Sequence, residues 1–384
     1  MQGRRRREFR GYFVVRQCFL QKATLPCREK SERVGQELAS MSAMIKKSLI
    51  LLAVAATTAQ AQQVERLWYY TDREDSYESL QRNISKITVL APSAYFVDAQ
   101  GIVWGDVDPR VRQLAARNNV QLMPLLVNAG FDQPALHALL STPAARARAI
   151  ASLVDVAQRN NYWGIQIDFE NVSVEDKDNL TTFYREAADA LHRIGKKISI
   201  AVVHRPDEQA GPTRYHKWLF ANWRAGYDLK ALADAGDFIT SMTYSQHTRR
   251  TPPGPNASLP WTEDVVKYFL QFMPPSKLSL GLPTGAMHWY TSQEDRITPE
   301  MARSYSSVLS YKWAMGMLER NNAKLIWDDV QKTSYAYFPN GGTWEWIFVE
   351  DARSFKAKES LIAKYKLRGY SVWVLGPEDP AIWN

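Results

Sequence analysis

The stretch Trp163-Gly164-Ile165-Gln166-Ile167-Asp168-Phe169-Glu170 alternates apolar and polar side chains. If it forms a β-strand, Gln166, Asp168 and Glu170 lie on one face and three apolar side chains on the other, because successive strand residues point to opposite faces. Alone, such alternation is typical of a half-exposed strand in an antiparallel sheet. The surrounding chain favours a different interpretation of the polar face.

Short β-rich runs alternate with helical runs on both sides of this stretch. Strands are predicted at residues 67–70, 87–91, 121–127, 163–170, 198–203, 238–244, 278–282 and 370–375. Eight strands separated by helices in a chain of 384 residues predict an α/β fold, the (β/α)8 TIM barrel. Both faces of a barrel strand are covered, so the polar face would point into the barrel. Carboxylates at the carboxyl end of a barrel strand are typical of an active site.

Two segments are additions to the strands and helices of a minimal barrel. Residues 284–351, between the seventh strand and the last helix, are predicted to form a small α+β insertion with a helix near 301–320 and a hairpin from 325 to 349 that turns at Asn340-Gly341-Gly342. The loop at 204–226 holds Trp218 and Trp223. We therefore expect residues 62–384 to form one catalytic barrel that contains the insertion.

The N-terminal region has the pattern of an export signal. Within residues 44–61, Lys46-Lys47 precedes the apolar run 48–56 and the small-x-small triplet Ala59-Gln60-Ala61. The apolar run is too short to span a membrane. We expect cleavage after Ala61 and a secreted or periplasmic protein. Residues 1–43 are interpreted as an over-extended start, with translation beginning at Met44 or Met41.

The net positive charge of the chain comes from this N-terminal region. Residues 1–43 carry ten Lys or Arg and four Asp or Glu, and Lys46 and Lys47 add two charges, so the formal +8 of the whole chain becomes zero for residues 62–384. Nucleic-acid binding is therefore not expected. Both cysteines, Cys18 and Cys27, lie in the same region. We expect a monomer without an integral membrane segment in the mature chain.

The sequence contains no pattern for a metal or a cofactor. The six histidines, including His204 and His247, show neither His-x-His nor His-Glu-x-x-His spacing. There is no Gly-rich phosphate loop and no Gly-x-Ser-x-Gly turn. We therefore expect no metal site and no cofactor.

Three motifs in order resemble glycoside hydrolase family 18, the chitinase-like enzymes. The family's fourth strand carries Asp-Gly-x-Asp-x-Asp-x-Glu, which residues 163–170 match at Gly164, Asp168 and Glu170. The sixth-strand pattern Met-x-Tyr-Asp is met by Met242-Thr243-Tyr244-Ser245 except at its last position, and Trp373 fits the final-strand Trp. Segments 167–172, 344–351 and 369–376 resemble the branch of bacterial spore-germination and peptidoglycan N-acetylglucosaminidases.

This resemblance implies a mechanism in which the N-acetyl oxygen of the substrate is the nucleophile and the anomeric configuration is retained. Glu170 would then donate a proton to the glycosidic oxygen, and burial together with the charge of Asp168 would raise its pKa. Asp168 would hold the acetamido N–H and stabilise the oxazolinium intermediate, while the Tyr244 hydroxyl would bind the acetamido oxygen.

Other residues are expected to bind substrate. These candidates are Gln166, Met242, Trp373, Tyr70 and Asn128, with Trp289, Trp344 and Trp346 as rim candidates. Tyr70 and Asn128 end predicted strands, where packing or capping explains them equally well. Trp163, Gln166 and Ser245 depart from the family pattern: Gln166 removes a charge beside Asp168, and Ser245 weakens the expected hold on the acetamido group.

Two hypotheses remain from the sequence. The first is a hydrolase that cuts β-1,4 bonds next to N-acetylglucosamine, and the second is a catalytically silent, lectin-like barrel that binds the same polysaccharides. Glu170 favours the enzyme, whereas the lost acids and Ser245 keep the second hypothesis open. The sequence leaves the choice between peptidoglycan and chitin-type chains open, and also that between endo and exo action.

Overall fold

Eight parallel strands close into a barrel in the computed structural model, which describes residues 64–291 and 304–384. In chain order the strands are β1 (Glu65–Tyr70), β2 (Val89–Val97), β3 (Val103–Gly105), β4 (Gln121–Leu122), β5 (Leu125–Asn128), β6 (Gly164–Asp168), β7 (Lys197–Val203), β8 (Phe238–Met242), β9 (Leu278–Pro283), β10 (Gly285–Thr291), β11 (Ser304–Leu309), β12 (Ile326–Asp328), β13 (Thr333–Asn340), β14 (Thr343–Glu350) and β15 (Gly369–Trp373). The barrel order is β1, β2, β5, β6, β7, β8, β9 and β15, and β15 pairs back to β1. The predicted TIM barrel is confirmed.

The helices of the described residues are α1 (Glu74–Asn83), α2 (Pro109–Arg117), α3 (Gln133–Ser141), α4 (Pro143–Arg159), α5 (Lys177–Arg193), α6 (Arg214–Leu219), α7 (Leu229–Ala235), α8 (Leu259–Phe269), α9 (Tyr311–Arg320) and α10 (Ala352–Tyr365). Apart from α6, which lies in the loop after β7, and α9, which packs on a second sheet, they cover the outside of the barrel. The apolar face of β6, formed by Ile165, Ile167 and Phe169, is fully buried in the layer between strands and helices. Because the apolar face points outward to the helices, the polar face of β6 points into the barrel interior.

The third barrel strand is interrupted, although the sequence pattern predicted a single strand at 121–127. Its two parts, β4 and β5, are separated by Met123 and Pro124. Proline has no N–H to donate to a neighbouring strand, so the ladder of hydrogen bonds breaks there. The Met123 N–H still donates to the Leu90 carbonyl at 2.9 Å, and the Pro124 carbonyl accepts from the Gln166 N–H at 3.0 Å. The first bond keeps this segment paired with β2, and the second keeps β6 in register despite the break.

Strands β10 to β14 form a second sheet of five strands in the order β11, β10, β14, β13, β12, and all of its pairings are antiparallel. Helix α9 packs on one face through Ala314 and Leu318. The predicted helix at 301–320 is wrong in its first half, because residues 304–309 form β11. Their serine-rich sequence disfavours a helix interior, and Ser310 caps α9 by accepting from the Trp313 N–H at 3.3 Å.

Several sequence predictions lie outside the described residues. Residues 1–63, with the export signal, the early start and both cysteines, are among them, as are residues 301–303 of the predicted insertion helix. Within the described ranges, no helix combines the length and the apolar character needed to cross a bilayer.

Candidate active site

The carboxyl end of β6 delivers two acids into one cavity. Asp168 is the last residue of β6 and is 7% exposed, and Glu170 follows two residues later, half-buried. This cavity, called the acidic cavity below, has a volume of about 240 Å³. Its lining residues are Tyr69, Ser93, Phe96, Val127, Phe131, Asp168, Glu170, Ala201, Met242, Tyr244 and Trp373. The structure therefore brings together five of the predicted site residues: Asp168, Glu170, Met242, Tyr244 and Trp373.

The surroundings of the two carboxyl groups raise the pKa of both. Burial raises the pKa of Asp168 far above that of an ordinary aspartate. Burial raises the pKa of Glu170 as well, and the charge of Asp168 raises it further. Within residues 64–291 and 304–384, neither carboxyl group has a hydrogen-bond donor or a cation as a partner. Ionising both carboxyl groups would bury two negative charges without a counter-ion. The pair therefore tends to keep a proton near neutral pH.

Asn128, at the end of β5, fixes the backbone of Glu170. Its side-chain oxygen accepts from the Glu170 N–H at 2.9 Å, and its side-chain nitrogen donates to the Glu170 carbonyl at 3.0 Å. The Tyr227 hydroxyl donates to the Phe169 carbonyl at 2.7 Å. Asn128 is buried and is not a lining residue of the acidic cavity. Asn128 therefore fixes the position of the Glu170 backbone, and the expectation that it contacts substrate stays a prediction.

Gln166 lies beneath the acidic cavity and has no exposed surface. Its side-chain oxygen accepts from the Tyr69 hydroxyl at 2.6 Å, and its nitrogen donates to Ser199 at 2.8 Å and to Thr240 at 3.3 Å. These bonds use both N–H groups of the amide, and Tyr69 occupies its oxygen. The amide of Gln166 is therefore bonded within the barrel interior, and the expectation that Gln166 binds substrate stays a prediction.

Tyr69, and not Tyr70, lines the cavity from β1. Tyr70 points outward into the apolar layer between the barrel and the helices, where its hydroxyl has no partner among the described residues. The structure thus places Tyr69, and not the predicted Tyr70, at the cavity, since adjacent strand residues face opposite sides. The alternation of β1 alone could not show which of two consecutive tyrosines faces inward.

Tyr244 and Trp373 complete the walls. Burial raises the pKa of Tyr244, and Tyr69 and the two acids add to the effect, so its hydroxyl keeps its proton and can donate it in a hydrogen bond. The ring of Trp373 lies 5.4 Å from that of Tyr69, centroid to centroid. An indole face at the base of a cavity suits the apolar face of a sugar ring.

A second cavity of about 350 Å³ adjoins the first and shares Glu170, Met242 and Tyr244 with it. Its walls include His204 after β7 and Arg224 at the end of a helical turn, Phe220–Arg224. Sequence reasoning singled out this loop for its tryptophans and missed Arg224. No local pattern could have indicated it, because its place beside Glu170 depends on packing between distant segments.

The rim candidates lie in the second sheet. Trp289 is buried against Met287 and Phe348, Trp346 is half-buried, and Trp344 is 56% exposed. None of the three tryptophans lines the acidic cavity or the second cavity.

Histidines and acids do not gather into a metal-binding group anywhere in residues 64–291 and 304–384. His204 pairs with the Met242 carbonyl and with Arg224, and His247 contacts the Pro252 carbonyl. Both side chains therefore have structural partners.

The barrel, the acidic pair and the order of the motifs define the class of a glycosidase. Residues 66–378 match the family model of glycosyl hydrolases family 18. The chain belongs to this family, and the resemblance inferred from its motifs is confirmed.

Individual relatives agree with this assignment. The chain is 22% identical over 321 residues to an uncharacterized glycosylase, YvbX, of Bacillus subtilis, covering 82% of this chain and 88% of that protein. It is 27% identical over 301 residues to the cortical fragment-lytic enzyme of Bacillus subtilis, covering 77% of this chain and 66% of that enzyme, just under two thirds. A chitinase structure from Chromobacterium violaceum superposes with a TM-score of 0.73 at 26% identity, covering 83% of this chain and 96% of that chain.

Replacement of Asn128 by alanine should lower kcat about 10- to 100-fold with little change in KM, because Glu170 loses both backbone bonds that set its position. Steady-state kinetics on a soluble oligosaccharide would measure the split between kcat and KM. Asn118→Ala is the matched control, since Asn118 is exposed and bonds only within its own helix end. An unchanged kcat in a folded Asn128→Ala protein would contradict the positioning role.

The dependence of kcat/KM on pH should show the electrostatic coupling between Asp168 and Glu170. Glu170 must be protonated to act as an acid, so kcat/KM should fall as pH rises through its raised pKa, well above the usual range near 4.3. Asp168→Asn removes the like charge and should shift this alkaline limb of the residual activity to lower pH. The exposed control Asp155→Asn should leave the limb in place. An unmoved limb in Asp168→Asn would refute electrostatic coupling between the acids.

Proposed function

We propose that this protein is a secreted, retaining hydrolase that cleaves β-1,4 linkages at N-acetylglucosamine in peptidoglycan or chitin-type glycans by substrate-assisted catalysis. The observation that carries the proposal is the entry of Asp168 and Glu170 into one buried cavity beside Tyr244 and Trp373. The raised pKa of Glu170 makes a proton available at neutral pH.

In the first step, the acetamido oxygen of the bound sugar attacks its own anomeric carbon. The bond from that carbon to the glycosidic oxygen breaks, and Glu170 gives its proton to the departing oxygen. The product on the enzyme is a cyclic oxazolinium ion with a positive charge. Asp168 accepts a hydrogen bond from its N–H and stabilises that charge, and the Tyr244 hydroxyl orients the acetamido oxygen beforehand.

In the second step, water attacks the anomeric carbon from the face that the leaving group vacated. The Glu170 carboxylate takes a proton from this water, and the bond between the anomeric carbon and the acetamido oxygen breaks. Two inversions give net retention, and Glu170 ends protonated for the next cycle. The lining of the acidic cavity by Trp373 and Phe96 supports this route by limiting access of other water.

The relatives support the choice of glycan. One is named for lysis of cortical fragments, and a similar structure is that of a chitinase. We take both names as support for a polysaccharide substrate. We therefore take peptidoglycan strands and N-acetylglucosamine oligomers as the two substrates to test.

Incubation of the purified protein with each glycan should release new reducing ends, with retained anomeric configuration when nascent products are followed by NMR. Glu170→Gln should lower the rate about 100- to 10,000-fold, because the amide donates no acid proton. The exposed control Glu175→Gln should keep the wild-type rate. Products of inverted configuration, or an undiminished rate in Glu170→Gln, would contradict the mechanism.

Residues 44–61 are proposed to direct export, on the support of their charge and apolar pattern. When the gene is expressed in a bacterium from the codon of Met44, the exported protein should begin at Gln62 by N-terminal sequencing. Ala61→Arg should block this processing, since the cleavage position needs a small residue. Recovery of only an unprocessed protein inside the cell would refute the proposed signal.

A further inference from the structure

The second cavity meets the acidic cavity at Glu170, which lines both. Asp168 and Trp373 line only the acidic cavity, so the mechanism proposed above assigns the sugar that forms the oxazolinium ion to that cavity. In that mechanism Glu170 protonates the oxygen that joins two sugars. The same mechanism then assigns the second sugar to the second cavity, whose lining includes Arg224 and Tyr215.

Arg224 carries a positive charge that no acid neutralises by contact. Its guanidinium donates one hydrogen bond, from Nη2 to Nε2 of His204 at 2.9 Å. Its Nε is buried without a partner, and no carboxylate lies within ion-pair distance of it among residues 64–291 and 304–384. A guanidinium has five N–H donors, so the donors of Nη1 and the second donor of Nη2 have no partner among the described residues.

His204 holds this guanidinium in place without changing its charge. Burial lowers the pKa of His204 to about 3, and the charge of Arg224 adds to the effect, so the imidazole is neutral. Its Nδ1 lies 3.1 Å from the Met242 carbonyl, which accepts the single ring proton, and Nε2 is left to accept from Arg224. The ring also packs edge-on against Trp261 at 4.7 Å. The guanidinium is therefore oriented before any ligand arrives.

The surroundings of the second cavity favour an anion. Among its described lining residues, Glu170 is the sole acid, and its raised pKa keeps it protonated near neutral pH. Ser245 occupies the place of the acid in the family's Met-x-Tyr-Asp pattern and lines the same cavity. Asp207 acts on Arg224 only from a distance, and Arg250 lies over the ring of Tyr215, which lines the cavity.

We propose that Arg224 is a receptor for a carboxylate carried by the sugar on the leaving-group side, and that it makes the enzyme prefer acidic glycan strands over neutral ones. The inference rests on the proposed hydrolase function, whose substrate it narrows. A planar guanidinium with free N–H groups binds a carboxylate through two parallel hydrogen bonds, which a neutral sugar hydroxyl cannot reproduce. In peptidoglycan, the lactyl group of a muramyl residue and the stem peptide both supply carboxylates.

The test compares strands of equal length that differ in charge. Peptidoglycan strands freed of peptide present the lactyl carboxylate, their methylamide derivative is neutral, and strands with intact peptides carry only peptide carboxylates. The measured quantity is kcat/KM for each acidic strand divided by that for the methylamide. We expect this ratio to be about 10 or more in the wild type and to fall about tenfold in Arg224→Gln.

Two further variants separate the receptor from general charge effects. Arg224→Lys keeps the positive charge but lacks the planar set of N–H donors. Its ratio should lie between those of the wild type and Arg224→Gln. Arg250→Gln removes an equal charge from an exposed side chain that stacks on Tyr215 without lining the cavity, and it should leave the ratio within twofold. Thermal unfolding of each variant establishes that it is folded. A ratio near 1 in the wild type, or an equal fall in Arg250→Gln, would overturn the proposal.

Binding to the Glu170→Gln protein, measured by calorimetry, separates this proposal from the proposed function. If no glycan is cleaved but acidic strands bind more tightly than the methylamide, and Arg224→Gln removes the difference, the hydrolase fails and the receptor stands. If binding shows no preference for acidic strands, the receptor fails whatever the result of hydrolysis. A preference confined to strands with intact peptides assigns the carboxylate to the peptide, and a preference for peptide-free strands assigns it to the lactyl group.

Discussion

Burial of two carboxyl groups together, without a cation beside them, is the constraint on which the rest of the site depends. Asp168 and Glu170 share one face of the same segment, and the barrel excludes water around them. Ionising both would place two like charges in a medium that screens them poorly. The site therefore keeps a proton in the pH range in which free carboxyl groups have lost theirs.

This arrangement has a cost in stability. A carboxyl group whose pKa is raised on folding binds its proton more tightly in the folded chain than in the unfolded chain. Its stabilising contribution is complete below the unfolded pKa and is lost as pH rises through the folded value. The barrel must therefore offset a penalty at neutral and alkaline pH. Fully buried apolar side chains of β6, such as Ile165 and Ile167, contribute to that offset.

The sequence was sufficient for the parts of the structure that depend on periodicity. The alternation in residues 163–170 placed Asp168 correctly, and the strand and helix rhythm predicted the barrel. Prediction failed where a single residue or a distant partner decides the outcome. Pro124 broke a strand whose pattern was continuous, β11 formed because β10 offered an edge to pair with, and the inward tyrosine of β1 proved to be Tyr69. Arg224 reaches Glu170's neighbourhood only through the folded loop.

Gln166 shows why a departure from a family pattern must be interpreted in three dimensions. An acid at this position could exchange a proton with Asp168, whereas Gln166 offers neither a charge nor an acidic proton. Its amide is fixed by Tyr69, Ser199 and Thr240, so it also makes no bond to Asp168. Asp168 then has one electrostatic partner among the acids of the cavity, which is Glu170. In the proposed mechanism, the repulsion between the two carboxylates rises when Glu170 gives its proton to the leaving group, and at the same moment the bound sugar becomes a positive oxazolinium ion. Without an acid at position 166, the site proposed here has two acids, and the positive charge that develops on the sugar relieves the repulsion between them.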